Sequence, residues 1–189
     1  IFLLKCYYYK GEFVEQDIDK RKNILNQGKN LGAQYIKKFP EVVDFRYWYL
    51  VNLGSWARLY GVFTAAKEGV ADQMKSHAEK IISLDPDYAN GGGYYMLGAV
   101  HYKSPYIPFL LSWPDNNEAI KYLEMSTNIG IPTLTQKNYL AQAMYKEGKI
   151  EEAKQILREV INTTPRITDR IEDLNYIEDA QKFLKDFSK

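Results

Sequence analysis

Residues 134–167 read LTQKNYLAQAMYKEGKIEEAKQILREVINTTPRI, and this stretch decides the fold. Leu140, Ala141 and Tyr145 fall on one face of a helix, and Gly148 ends it. Ala153, Leu157 and Val160 then form the apolar stripe of a second helix, which Pro165 stops. The small side chains at 141 and 153 let the two helices approach closely, so the segment predicts a tight helical hairpin.

A Leu, a small residue, an aromatic, a Gly turn, an Ala and a terminal Pro, in that order over one 34-residue period, resemble the tetratricopeptide repeat. Upstream the pattern recurs in stretched form. Leu97-Gly98 stands where Leu140-Ala141 does, Ala119, Leu123 and Ser126 match Ala153, Leu157 and Val160, and Pro132 terminates the unit. Between its helices lies SPYIPFLLSWPDN (104–116), after which Asp115 or Asn116 caps the second helix, with Glu118 in its first turn. Further back, YWYLVNLGSWARLYG (47–61) reads as a long apolar first helix and QMKSHAEKIISLDP (73–86) as its amphipathic partner, with VFTAAKEGVA between them. At the front, Leu3, Leu4 and Gly11 match Leu140, Ala141 and Gly148, EFVEQDID (12–19) intervenes as an extra segment, and the next helix ends at Pro40. After Pro165, Ile171, Leu174, Ile177, Ala180 and Leu184 mark the apolar stripe of a last helix, of the polar-faced kind that closes a solenoid.

Pro40, Pro86, Pro132 and Pro165 are spaced 46, 46 and 33 residues apart, so three lengthened repeats precede one of standard length. The inter-helix connections of a stacked array emerge on one rim, and the added residues are expected to gather there. The predicted fold is all-α. It is a single domain over 1–189: a tetratricopeptide-like α-solenoid of about four helical hairpins plus a C-terminal capping helix, with insertions between the helices of the first three repeats.

Composition narrows the partners. Lys+Arg 25 against Asp+Glu 24 gives +1, without the basic excess of a protein that wraps nucleic acid or coats an anionic membrane. The single Cys6 excludes an internal disulfide framework and a thiolate metal cluster. No run reaches the roughly 18 apolar residues of a transmembrane segment. His77 and His101 are the only histidines, and neither stands in an HxxxH or HExxH pattern, so no metal site is expected. NGGG at 90–93 follows LDPDY rather than a strand and reads as a hinge, not a phosphate loop. With no nucleophile–base arrangement in view, the sequence predicts a protein without cofactor or catalysis. The unusual total is Tyr 16, a residue suited to surfaces that are apolar yet wet.

Several residues stand out as candidates for binding. Tyr106, Phe109 and Trp113 lie in the 104–116 insert, stiffened by Pro105, Pro108 and Pro114; rigidity suits recognition, and it suits a packed loop equally. Asn52 and Arg58 interrupt the apolar helix 47–61, where a buried polar group costs about 1–3 kcal/mol unless paired. They either tie helices together or line an internal cavity. His101, beside Tyr102 and Lys103 on a first helix, reads as a ligand contact or as a satisfied structural histidine.

YWYLVNLGSWARLYG, an LDP helix end, LGAVHYKSPYIPFLLSWPDNNEAIKYLE and the closing repeat resemble the tetratricopeptide-like T component that accompanies some bacterial TRAP transporters, from about Asp44 to Phe187. A related layout occurs in the regulator of microtubule dynamics family, and the SPYIP…SWPDN insert favours the bacterial group. The resemblance implies a periplasmic protein, lipid-anchored through an upstream cysteine, that meets the solute-binding subunit of a transporter and passes a hydrophobic small molecule through a central cavity. No cysteine here matches that anchor, since Lys5 precedes Cys6 where a small residue is needed. By position it places Trp48, Asn52 and Trp56, with Tyr95, His101 and Tyr102, along the cavity, where Lys103, Arg58 and Asn52 would orient a polar end. The other reading is an adaptor that grips a partner's peptide in the same groove without a small ligand.

Overall fold

The computed structural model describes residues 1–187, and they are all-helical, with one isolated antiparallel bridge from Ile107 to Leu111. Among these residues no helix is long and apolar enough to cross a membrane. The chain divides into two compact units, Ile1–Met96 and Leu97 onward.

The first unit begins with α1 (Phe2–Tyr9), which widens without a break into a π-helical turn, Lys10–Val14. Glu15 N bonds Lys10 O at 2.9 Å, and the side chain of Arg21 donates from Nε to Gly11 O at 2.8 Å, so a carbonyl set out of helical register finds a partner. Asp17 then caps α2 (Ile18–Lys38) by accepting from the backbone of Asp19 and Lys20. The expected extra segment 12–19 is therefore not a loop. The π turn takes up its first residues, α2 takes up its last two, and only Glu15–Asp17 connect them.

α3 (Val43–Tyr60) packs against α1 and α2. The spacing is set by two glycines one turn apart on α2. A Cβ on Gly28 would collide with Asn52 Oδ1, and one on Gly32 would lie 3.0 Å from Tyr49 Cβ and 3.1 Å from its Cα. Gly61, at φ 86°, ends α3, and a short helix α4 (Val62–Lys67) leads to α5 (Val70–Leu84). Val70, Met74, Ala78 and Ile81 give α5 the buried stripe that its spacing predicts. Glu12 and Arg58 form a 2.8 Å ion pair, which ties the π turn to the end of α3. The NGGG region opens α6 (Tyr88–Lys103) with a left-handed turn, Ala89, Asn90 and Gly91 having φ of 52°, 54° and 76°.

In the second unit the C-terminal part of α6 precedes α7 (Asn116–Thr127), α8 (Leu134–Lys146), α9 (Ile150–Ile161) and α10 (Arg170–Asp186). Asp115 is the N-cap of α7, and Thr133 with Gln136 forms a reciprocal capping box on α8. Ala141 and Ala153 are fully buried where α8 meets α9, alongside Leu157 and Val160. Gly98 is held equally close: a Cβ there would lie 2.7 Å from Leu123 Cγ. α10 departs from expectation. Ile171 and Leu174 are exposed, at 57% and 46%, while Asp173 is buried at 1%. Asp173 accepts from the backbone N, Nε and Nη2 of Arg166 at 2.8, 2.9 and 2.7 Å, and this polar clasp turns the start of α10 so that its carboxylate faces inward.

Candidate functional site

The candidate residues fall into two groups, one in each unit. In the first, Asn52 is fully buried on α3, and its Nδ2 donates to Leu4 O of α1 (3.1 Å) and to Trp48 O (2.8 Å). Its Oδ1 lies against the backbone of Gly28, which leaves no room for a side chain between them. Arg58 reaches Glu12 and, at 3.2 Å, Ser55 Oγ. Both polar residues of the apolar helix tie helices or turns together. One turn on from Asn52, Trp56 is 2% exposed; it stacks on Tyr60 with centroids 4.4 Å apart, and the Lys29 ammonium sits 3.7 Å from its ring centroid. Lys29 also pairs with Glu68 at 2.9 Å. The indole Nε1 of Trp56 is buried with no hydrogen-bond partner among the described residues. Trp48 is half-buried, with Tyr8 and Tyr47 as ring neighbours at 6.1 and 5.6 Å and Lys5 over it at 5.0 Å. Tyr95 is half-buried on α6.

In the second unit His101 is buried, and its Nδ1 accepts from Asp115 N at 3.2 Å, which makes it the Nε2–H tautomer if neutral. Trp113 meets its ring edge-on at 4.9 Å. His101 and Trp113 therefore fasten the end of the insert to α6. Tyr106 and Phe109 lie beyond this anchor at the exposed tip.

Tyr102 and Lys103 face α8. The Tyr102 hydroxyl and the Lys103 ammonium both donate to Gln142 Oε1, at 3.3 and 3.1 Å, and Gln142 Nε2 donates to Asn138 O. Lys103 lies over the rings of Tyr102 (4.5 Å) and Tyr139 (5.1 Å), and Lys146 lies 5.6 Å over Tyr102. Burial, and then the neighbouring Tyr139, hold the Tyr102 phenol above its ordinary pKa, so it remains a hydrogen-bond donor through the neutral range. Asn138 is fully buried and donates to Tyr176 O of α10.

Sequence reasoning missed Tyr139, Gln142 and Lys146. The signal was there: Thr135, Asn138 and Gln142 repeat at helical spacing on α8 and are all buried, a polar stripe beside the apolar one. Such a surface can offer rings and two ammonium groups, held in place by the buried amides beneath them, which suits recognition. An open cleft of about 290 Å3 lies elsewhere, in the first unit, lined by Tyr7, Lys10, Glu15, Lys20, Asn23, Ile24 and Gln27. No family model matches the chain, and no curated protein matches it.

Proposed function

We propose that the protein is a non-enzymatic binding protein, built from tetratricopeptide-like hairpins, that engages a partner protein through the facing surfaces of its first helices. The observation that carries this reading is the meeting of Tyr102 and Lys103 of α6 with Tyr139, Gln142 and Lys146 of α8. Aromatic rings of restricted motion, edged by ammonium groups, are the composition of an interaction hot spot rather than of a solvated helix face.

The partner suggested by the resemblance is the periplasmic solute-binding subunit of a TRAP transporter, met by a lipid-anchored accessory protein. Adaptor binding without a small ligand is the second reading, and the ties that Asn52 Nδ2 and the Arg58 guanidinium make to Leu4 and Glu12 favour it. Titrating the chain with such a solute-binding subunit by calorimetry tests the first reading. Binding that weakens on Tyr139→Ala supports it; heats indistinguishable from dilution would remove the transporter from the proposal.

A further inference from the structure

The tip of the insert carries a conformational cost that its sequence could have avoided. Ile107, Pro108, Phe109 and Leu110 form a β-turn, closed by Leu110 N to Ile107 O at 3.2 Å; Ile107 and Leu111 exchange two backbone bonds of 2.8 Å beneath it. A turn with Pro second and positive φ third is glycine's territory at that third position. Phe109 occupies it, at φ 65°. A bulky L-residue is disfavoured in this conformation, and within this chain the ring gains nothing from it. Phe109 is 106% exposed, Leu110 67% and Tyr106 64%. The base of the insert, in contrast, is fixed, by buried Leu111 and by the His101–Asp115 bond. Strained residues on an otherwise well-held frame mark places where the pose itself is used.

We propose that Phe109, with Leu110 beside it, is a preformed key for an uncharged apolar cleft on a partner protein. Two observations select this occupant. A backbone held in one strained conformation, which fixes where the ring leaves the turn, has value against a surface with shape of its own, whereas a bilayer accepts a phenyl ring from any turn. Between Lys103 and Asp115 no side chain carries a charge, and the whole chain has a net charge of +1, so neither a charged cleft nor an anionic membrane would be complementary. The inference rests on the reading of the chain as a binding protein, but on residues other than the α6–α8 cluster.

A photo-crosslinking phenylalanine analogue at position 109 of the full chain, irradiated in the native cells, supplies the first test. One discrete adduct with a different protein is expected; adducts with lipid alone or with a second copy of the chain, or no adduct, would overturn the proposal. The crosslinked protein, once purified, is then titrated against the parent, Phe109→Gly and Tyr139→Ala. Phe109→Gly should raise the melting temperature of the isolated chain, by relieving the turn, and weaken binding about tenfold or more. A lowered melting temperature would show the ring to be packing, and an unchanged affinity would show it to be idle; either result refutes the key. If Tyr139→Ala weakens binding while Phe109→Gly does not, the key is wrong and the binding reading stands. Flotation with phosphatidylcholine–phosphatidylglycerol vesicles provides the remaining contrast, and flotation lost on Phe109→Gly would assign the tip to lipid.

Discussion

Gly28→Ala is the sharpest probe of how the first unit is assembled. The new methyl group would overlap Asn52 Oδ1 and lie 2.7 Å from Asn52 Cγ and 2.9 Å from Tyr7 Cβ. Two costs follow. Overpacking a close helix contact costs about 1–3 kcal/mol, and pushing Asn52 away strands its bonds to Leu4 O and Trp48 O for about another 1–3 kcal/mol. Replacing Gly with Ala in a helix returns about 1 kcal/mol. The net expectation is a loss of about 3 kcal/mol, or a melting temperature lower by roughly 6–12 °C for a chain of this size. Thermal and urea melts followed by far-ultraviolet circular dichroism measure it. A double-mutant cycle with Asn52→Ala identifies the cause, because removing the amide makes room for the methyl; the pair should fall short of additivity by at least about 1 kcal/mol. A Gly28→Ala variant as stable as the parent, or strict additivity in the cycle, would refute the proposed contact.

His77 lies beside the buried Arg46, whose Nη1 is 2.8 Å from His77 Nδ1, and burial together with that cation holds the His77 pKa below its ordinary 6.5. The unfolded chain therefore binds the proton more readily, so stability should fall as pH drops below about 6.5 and be fully present above it; urea midpoints between about pH 5 and 7.5 should show this slope, and His77→Gln should flatten it. Asp173→Ala removes the clasp on Arg166, whose own side chain is 43% exposed, and should cost about 2 kcal/mol; hydrogen exchange should become faster at the start of α10 and stay unchanged in α3. Lys29→Met keeps the aliphatic stem while removing the charge above Trp56, with an expected loss of about 1 kcal/mol and a shift in tryptophan emission.

The helices that the sequence reveals best are those whose apolar spacing leaves one solution. α8 and α9 end where Gly148 and Pro165 imply, and their small residues Ala141 and Ala153 are buried in the contact. The insert shows itself through its prolines and through Asp115, which does cap α7. What stayed hidden depends on partners far along the chain or on backbone geometry without a residue code. Nothing in KGEFV announces a π turn, since its stability draws on Arg21 reaching Gly11 O ten residues away. The facing of α10 went unread because an apolar stripe at 171, 174 and 177 is the default, and Arg166's clasp on the buried Asp173 carboxylate overrode it. In the insert, Trp113 looks like Tyr106 and Phe109 as a sequence, yet the ring of His101 draws it inward while the others stay out. The α8 polar stripe was visible but overshadowed by the leucine and alanine pattern on the same helix.

The widened turn at Lys10–Val14 has a consequence for how this chain can vary in length. A π turn houses one residue more than the α-helical path it replaces, without a loop. Removing a single residue there would restore ordinary winding and leave the register of the α-helical turns before it unchanged, because the wide turn absorbs its extra residue locally. The Gly11 carbonyl would then return to the helical ladder, and Arg21 would lose that acceptor. The surplus residue is thus stored length: the first helix holds it without a loop, and a homologue lacking it should also lack the Arg21–Gly11 bond.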